Sequence, residues 1–242
     1  ASGRAAAQLA LARGAAKVVC VDSNPDAVQL EGTVSVFGPH RKADFTGGPG
    51  GAWGMERPDF VVLSPGIPPQ VPELKAAATA GIPIIGEIAF ASSQCPPDLP
   101  FVAITGTNGK SSTAWFTHQL LNQAGRSSYL AGNIGHSLSN LPLDLEAGVT
   151  VDIVVVEVSS YQLESVGNFH ARVGAILNLT PDHLARHGTM EAYGKAKLRL
   201  FKNMDSSDVA ILPLDTPGLP ADTLATHSAP PRQLWIHRDP GV

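Results

Sequence analysis

The feature that most constrains this chain is an apolar run that leads directly into a glycine-rich loop and then into a helical segment. Residues 101–104 read FVAI, the loop 106–112 reads GTNGKSS, and residues 111–124 have helical composition. A strand, a tight turn and a helix in this order are typical of parallel α/β domains, in which loop amides and the helix N-terminus bind phosphate groups. The sequence therefore predicts a parallel α/β fold with a phosphate site at this loop.

The residue types in the loop suit phosphate chemistry. Gly106 and Gly109 permit the tight turn that directs backbone N–H groups at phosphate oxygens. Lys110 is predicted to reach the β- and γ-phosphates of a nucleotide, and Ser111 to offer its hydroxyl to Mg²⁺. The loop is shorter than the usual phosphate-loop pattern because Ile104 occupies the position of the first glycine. A glycine-rich turn without a ligand is the less favoured alternative.

Short apolar runs alternate with helical segments along the rest of the chain, which favours parallel sheets covered by helices on both faces. The predicted strands are residues 17–21, 60–63, 82–85, 101–104, 127–130, 153–156, 173–179, 209–212 and 234–236. The predicted helices are residues 5–13, 73–80, 111–124 and 190–201. A proline-rich linker at 95–100 divides the chain into two predicted domains, residues 1–95 and 96–242. Both ends read as cut, because no strand precedes the first helix and the last residues form a turn.

Composition excludes several classes of protein. The chain has 17 Lys and Arg against 21 Asp and Glu, a formal charge of −4, which is unlike a dedicated nucleic-acid-binding protein. No apolar run approaches the roughly 18–20 residues of a membrane-spanning helix, and residues 1–14 make a poor signal peptide. Cys20 and Cys95 cannot build a disulfide framework or a metal cluster, so a reducing compartment is favoured. These observations predict a cytoplasmic protein that binds neither nucleic acid nor membranes.

Polar side chains that follow predicted strands are the other candidates for chemistry. Glu157 ends a strand, where parallel sheets bind ligands, and beside a phosphate it would take Mg²⁺. A solvated strand-end carboxylate is an equal alternative. His183 is a candidate metal ligand or orienting group, although a lone histidine is more often structural, and Lys197 fits the pattern of an ordinary surface lysine. The glycine-rich segment 131–135 is a weak signal by itself, because its composition fits a turn at least as well as a binding site.

Five segments, in one order, resemble the Mur ligases. They are LSPGIP at 63–68, GTNGKSS at 106–112, AGNIG at 131–135, VEVSSYQLES at 156–165 and LNLTPDHLARHGTMEAYGKAKLRLF at 177–201. The resemblance extends over nearly all of residues 1–212. It implies a Rossmann-like domain that binds a UDP-linked substrate, followed by a P-loop-type α/β central domain that binds ATP. It also implies that the chain lacks the N-terminal strand of the first domain, the end of the central domain and a third, C-terminal domain.

The resemblance implies an activity as well. The SSYQLE and AKLR segments favour the family member that adds D-glutamate to UDP-N-acetylmuramoyl-L-alanine in peptidoglycan synthesis, a process linked to cell shape and division. The substrate carboxylate would attack the γ-phosphate of ATP, and the amine of D-glutamate would then displace phosphate from the acyl phosphate. Two Mg²⁺ ions and a lysine carbamylated by CO₂ would assist, in a monomer. The 242-residue chain by itself would not ligate.

Residue roles are implied by the matching motif positions. ATP is implied to bind at Gly106, Thr107, Asn108, Gly109, Lys110, Ser111 and Ser112. The implied catalytic residues are Lys110, Asn133, His183 and Lys197, and the implied metal ligands are Ser111, Glu157, His183 and Lys197 as its carbamate. The implied substrate-binding residues are Ser2, Gly3, Asp22, Ser23, Asn24, Ser64, Gly66, Asn133 and Ser159. Carbamylation would convert the cationic lysine side chain into an anionic group with oxygen ligands, which explains how a lysine could serve in a magnesium site. Asn24 and Ala185 stand where other members have Arg and Asp, respectively.

Other functions stay open at this point. A different acid–amino-acid ligase of the superfamily, such as another Mur ligase or a folylpolyglutamate synthetase, would share these motifs. A nucleotide- or UDP-binding module without turnover would share the phosphate loop. An NAD-binding Rossmann protein is disfavoured, because the loop at 106–111 carries Lys-Ser and not G-x-G-x-x-G.

Overall fold

The computed structural model describes residues 2–22, 30–37, 57–68, 70–214, 216–219, 224 and 228–236. Its first part contains two pairs of parallel strands and three helices. In chain order these are α1 (Ser2–Ala12), β1 (Val18–Asp22), β2 (Thr33–Phe37), β3 (Val61–Leu63), α2 (Pro72–Thr79), β4 (Ile84–Gly86) and α3 (Glu87–Ser92). β1 pairs with β2, and β3 pairs with β4.

The larger part is built on a six-stranded parallel sheet. Its elements are β5 (Phe101–Thr105), α4 (Lys110–Gln123), β6 (Ser128–Gly132), α5 (Leu141–Glu146), β7 (Ile153–Glu157), α6 (Ser160–Leu163), β8 (Val173–Ile176), α7 (Leu184–His187), α8 (Met190–Leu198), β9 (Val209–Pro213) and β10 (Arg232–Ile236). Single 3₁₀ turns occupy Leu138–Asn140 and Arg199–Phe201. The strand order is β10-β9-β8-β5-β7-β6, and all neighbouring strands are parallel.

The sheet is covered on both faces, which explains the uninterrupted apolar sequence of its strands. Successive residues of β7 point to opposite faces, so that Val154 and Val156 join one apolar cluster while Val155 joins another. The second cluster also includes Ala114 of α4, whereas the first includes Leu198 of α8. The predicted α/β fold with a parallel sheet is confirmed. Within the described residues, none of the helices has the length and apolar character needed to cross a bilayer.

The register of the sheet brings the carboxyl ends of its central strands to one level. Ile104 of β5 pairs with Glu157 of β7, and Glu157 pairs in turn with Gly132 of β6. On the other side of β5, Thr105 pairs with Ile176 of β8. Because the chain runs from β5 to one side of the sheet and later to the other, these carboxyl ends lie at a topological switch point, which is where α/β sheets bind ligands.

Several elements differ from the sequence expectation. The elements that were not predicted are β2, α3, α5, α6 and α7, which have between four and six residues and are too short for a helical or strand period to show. The strand predicted at 173–179 ends at Ile176. It ends there because the backbone carbonyl of Asn178 accepts a hydrogen bond from the N–H of Thr107, a loop residue, instead of from a neighbouring strand.

Helix α3 packs against both parts of the chain. Ile88 and Ala91 belong to the main apolar cluster of the six-stranded sheet, whereas Phe90 packs with Ala6 and Leu9 of α1. The predicted boundary between residues 95 and 96 therefore follows a helix that contributes to two cores. The two-domain division stays a prediction.

A buried carboxylate secures the start of α3. Oε1 of Glu87 accepts hydrogen bonds from Ser137 Oγ at 2.7 Å, from Ser139 N at 2.8 Å and from Ser139 Oγ at 2.7 Å. Glu87 and Ser139 are both buried, so these groups have no access to water as an alternative partner.

Replacing Glu87 by alanine is expected to lower the free energy of unfolding by about 3 kcal/mol, because each buried donor left without an acceptor costs about 1–3 kcal/mol. Glu87→Gln keeps an oxygen that can accept the same bonds, and we expect it to cost about half as much. Urea denaturation of the two variants measures the difference. Equal losses would show that these hydrogen bonds are not what Glu87 contributes.

Candidate active site

The phosphate loop lies where the sequence predicts it, between the end of β5 and the start of α4. Gly109 precedes the first residue of α4 with a φ of 79°, a left-handed conformation that glycine adopts without strain. The first N–H groups of a helix have no partner within the helix, and its N-terminus carries partial positive charge. Nζ of Lys110 donates to the carbonyl oxygen of Thr107 at 2.8 Å, which places the ammonium group over the loop.

Asn178, which sequence reasoning missed, fixes the shape of this loop. Its Oδ1 accepts hydrogen bonds from Thr107 N at 3.1 Å and from Asn108 N at 2.9 Å. Its Nδ2 donates to the carbonyl oxygen of Asn108 at 3.0 Å. The only signal in the sequence is a polar residue just beyond an apolar run, which many turns share. Asn178 thus holds the loop after β5 against the loop after β8.

The hydroxyl of Thr107 provides a second anchor. Its Oγ1 accepts from Thr180 N at 3.0 Å and lies 3.3 Å from the buried hydroxyl of Tyr193 in α8. The loop is therefore held from β8 and from α8, so its backbone is organised before any ligand binds.

Three residues that were predicted separately converge at the end of β7. Ser111 Oγ donates to Glu157 Oε2 at 2.7 Å, and Asn133 Nδ2 donates to Glu157 Oε1 at 2.9 Å. The backbone N–H of Asn133 also donates to the carbonyl oxygen of Glu157 at 2.9 Å. Glu157 is only 1% exposed, so it is not the solvated strand-end charge that was its alternative interpretation.

Lys197 lies directly beneath the loop and is 1% exposed, which overturns the surface-lysine interpretation of its pattern. Its Nζ donates to the carbonyl oxygen of Gly106 at 2.9 Å and to Thr105 Oγ1 at 3.4 Å, and it lies 4.6 Å from the centre of the Tyr193 ring. Burial, together with the nearby charge of Lys110, lowers the pKa of Lys197 to about 7, although Asp182 acts in the opposite direction. Near neutral pH a substantial fraction of this amine is therefore uncharged and nucleophilic.

His183 is not brought into hydrogen-bond contact with Glu157 or Ser111, both of which are described residues. Its Nδ1 lies 3.0 Å from the Tyr161 hydroxyl, and its Nε2 lies 3.3 Å from Asp182 Oδ2. Its backbone is left-handed, with a φ of 51°, and its side chain is exposed. The predicted role of His183 as a metal ligand stays a prediction.

The predicted substrate-binding residues fall into three groups. Ser64 Oγ lies 3.3 Å from the position that a Cβ would take on Gly3, so the start of α1 and the turn after β3 are adjacent. Ser159 caps α6, with its Oγ accepting from Gln162 N at 3.3 Å while Gln162 Oε1 accepts from Ser159 N at 2.8 Å. The remaining five positions differ in what the structure shows: Ser2 begins α1, Asp22 ends β1, Gly66 faces open space, and Ser23 and Asn24 lie outside the described residues.

The donor set at the loop suits a hard cation that is shared with a nucleotide. Among the described residues, no three His, Cys, Asp or Glu side chains are grouped so that they could hold a metal ion. Mg²⁺ does not need such a group, because it usually takes one or two carboxylates and completes its shell with phosphate oxygens and water. The Ser111 hydroxyl, in the first turn of α4, and the Glu157 carboxylate, at the end of β7, are hydrogen-bonded to each other and fit this requirement.

Comparison with known proteins gives a consistent result. The model of the Mur ligase middle domain matches residues 104–229, more than half of the chain. The UDP-N-acetylmuramoylalanine–D-glutamate ligase of Geobacter metallireducens is 43% identical over 182 residues, 75% of this chain and 37% of that protein. The ligase of the same name from Anaeromyxobacter dehalogenans is 42% identical over 218 residues, 87% of this chain and 44% of that protein. The chain thus spans between a third and a half of the length of the curated relatives it matches.

Solved structures show the same fold at low sequence identity. The UDP-N-acetylmuramate:L-alanyl-γ-D-glutamyl-meso-diaminopimelate ligase of Neisseria meningitides has a TM-score of 0.58 at 18% identity, covering 96% of this chain and 73% of that one. The MurF ligase of Thermotoga maritima, solved in complex with ADP, has a TM-score of 0.50 at 19% identity and covers 69% of this chain and 44% of that one. Because the middle-domain model matches the loop, the strand ends and α8 that build the site, the chain belongs to the Mur ligase family.

Proposed function

We propose that this chain carries the ATP site and the UDP-substrate platform of a ligase that joins D-glutamate to UDP-N-acetylmuramoyl-L-alanine. The observation that carries the proposal is the convergence of Ser111, Asn133 and Glu157 on the phosphate loop. Relatives that are 41–46% identical and named D-glutamate ligases support the choice of substrates. The ADP bound in the T. maritima MurF ligase supports a nucleotide at the loop. Such a reaction belongs in the cytoplasm, where ATP is available.

Each residue of the site has a defined task in this proposal. The loop amides and the N-terminus of α4 bind the ATP phosphates, and the Lys110 ammonium neutralises charge on the β- and γ-phosphates. Ser111, Glu157 and a carbamate on Lys197 would hold Mg²⁺, which supplies further charge neutralisation when bound. Asn133, whose amide donates to Glu157, would direct the substrate carboxylate toward the γ-phosphate.

The proposed chemistry has two steps. The carboxylate of the alanyl substrate attacks the γ-phosphorus and ADP leaves, which produces an acyl phosphate. The amine of D-glutamate then attacks the acyl carbon, and phosphate leaves as the amide forms. The contribution of the protein is to hold the reactants in line and to neutralise the charge that develops.

Phosphate release by the full-length product of the gene tests this function. With ATP, Mg²⁺ and UDP-N-acetylmuramoyl-L-alanine, we expect release to depend on D-glutamate and not on L-glutamate or meso-diaminopimelate. Release that requires L-glutamate and a folate would identify a folylpolyglutamate-type ligase instead. Binding of ATP without release under any of these conditions would identify a nucleotide-binding module.

We expect Lys197 to react with CO₂, because its buried, partly neutral amine is the form that adds to CO₂. Protein equilibrated with ¹³C-bicarbonate should give one carbamate signal in its ¹³C NMR spectrum, and Lys197→Met should remove it. Lys195→Met is the matched control, since that exposed lysine lies on the same helix in an ion pair with Glu191. A carbamate signal that persists in Lys197→Met, or none in the wild type, would rule out this modification.

A further inference from the structure

A network of side-chain contacts links the turn after β3 to the segment that carries His183. At its centre is Arg186 of α7, whose Nη2 donates to Glu164 Oε2 at 2.6 Å while its Nε donates to the same carboxylate at 3.2 and 3.3 Å. Nη2 also donates to the carbonyl oxygen of Ile67 at 3.3 Å. Both charged side chains are largely withdrawn from solvent, which makes such an ion pair stronger than one at the surface.

The guanidinium of Arg186 also contacts an aromatic ring that reaches His183. Its Cζ lies 4.3 Å from the centre of the Tyr161 ring, close enough for a cation–π contact. The hydroxyl of the same tyrosine lies 3.0 Å from His183 Nδ1. The contacts therefore run from the carbonyl of Ile67, through Arg186 and Tyr161, to the imidazole of His183.

The two ends of this network belong to different parts of the proposed site. Ile67 lies in the SPGIP turn, next to the predicted substrate residue Gly66, and its N–H closes that turn on the carbonyl oxygen of Ser64 at 3.1 Å. His183 lies after β8 and directly precedes α7. Only a guanidinium offers a planar fork for the carboxylate, a further N–H for a carbonyl and a flat face for a ring, so lysine cannot replace it.

We propose that Arg186 is a positioning residue that holds the SPGIP turn in register with His183, and so sets the affinity of the site for the UDP-linked substrate. This inference rests on the proposed function. Arg186 acts on substrate binding and not on ATP, because Asn178 holds the phosphate loop through its own hydrogen bonds from Thr107 N and Asn108 N. A purely structural ion pair would instead affect both substrates through the stability of the fold.

The first test uses Arg186→Lys in the full-length gene product. We expect the KM for UDP-N-acetylmuramoyl-L-alanine to rise by about tenfold or more, with the KM for ATP changed by less than about twofold. Arg172→Lys is the matched control. Arg172 directly precedes β8 and pairs with the buried Asp208, so this ion pair lies at the amino ends of the strands, away from the phosphate loop. This substitution should change neither KM. Equal changes in both KM values for Arg186→Lys, or no change in either, would overturn the proposal.

The second test does not depend on catalysis and separates this inference from the proposed function. Hydrogen–deuterium exchange of the 242-residue chain is followed in peptides that cover residues 60–68. Arg186→Met should accelerate exchange there relative to wild type and to Arg172→Met, while the protection of β7 stays unchanged. If the wild-type enzyme shows no D-glutamate-dependent phosphate release, the proposed function fails, but this exchange result still decides whether Arg186 holds the turn. Unchanged exchange in the peptides that cover residues 60–68 would overturn the proposal that Arg186 holds the turn.

Discussion

Replacing Lys110 by alanine is expected to lower the kcat of the full-length gene product by about 10²- to 10³-fold, the usual effect of removing one preorganised group that stabilises developing charge. This corresponds to about 3–4 kcal/mol of transition-state stabilisation. The ammonium group already lies over the loop through its hydrogen bond to Thr107, so it needs little reorganisation to meet a phosphate. The fold should be unaffected, because the substitution removes only one side-chain hydrogen bond, from Lys110 to the carbonyl oxygen of Thr107 in the loop.

The measurement is a steady-state analysis of kcat and of the KM for ATP, with a melting curve for each variant. Lys195→Ala is the matched control, because that lysine is 72% exposed and forms an ion pair with Glu191 one helical turn away. Such surface pairs contribute little, so we expect its kcat to be within twofold of wild type. Lys110→Arg keeps the charge but not the compact ammonium, and should recover only part of the rate. A Lys110→Ala enzyme with near-normal turnover would mean that the loop does not hold the reacting phosphate.

The carboxyl edge of the sheet was predictable because strand ends are visible in sequence. Glu157 follows an apolar run, and the carboxyl ends of parallel strands meet at one edge, so a site containing this carboxylate and the loop after β5 could be expected. The partners of Glu157 could not be derived from local pattern. Asn133 reaches it only because β6 pairs with β7 in a register that sets Gly132 opposite Glu157, and strand register depends on contacts that are distant in sequence.

Lys195 and Lys197 show why local pattern fails for a helix at the site. Both lie in one run of mixed polar and apolar residues, yet the first is exposed and the second is buried. Two residues advance a helix by about 200°, so the two side chains point to nearly opposite faces. Which face is buried is decided by the packing of α8 on the phosphate loop and against α6 and α7. The resemblance to a family singled out Lys197, the buried one of the two, because motif position carries this tertiary information.

Gly132 is the position where adding a single methyl group is expected to destabilise the site most. It ends β6 with a φ of 106°, and a Cβ there would lie 2.2 Å from the carbonyl oxygen of Glu157. That oxygen belongs to a paired strand and accepts the N–H of Asn133, so it cannot move aside alone. Alanine would have to separate β6 from β7 where Asn133 and Ser111 meet Glu157.

We therefore expect Gly132→Ala to lower the free energy of unfolding by about 2–5 kcal/mol, the sum of roughly 1–2 for the left-handed backbone and 1–3 for overpacking. Gly148→Ala is the matched control, because Gly148 has a φ of 93° but nothing within 4 Å of its Cβ position. In this variant the free energy of unfolding should fall only by the cost of the left-handed backbone, about 1–2 kcal/mol. Urea denaturation of the three proteins measures the difference, and titration with a fluorescent ATP analogue should show weakened binding for Gly132→Ala alone. Equal losses of stability in the two variants would mean that β6 and β7 can separate at Glu157 without cost, and that the close approach of these strands does not hold the site together.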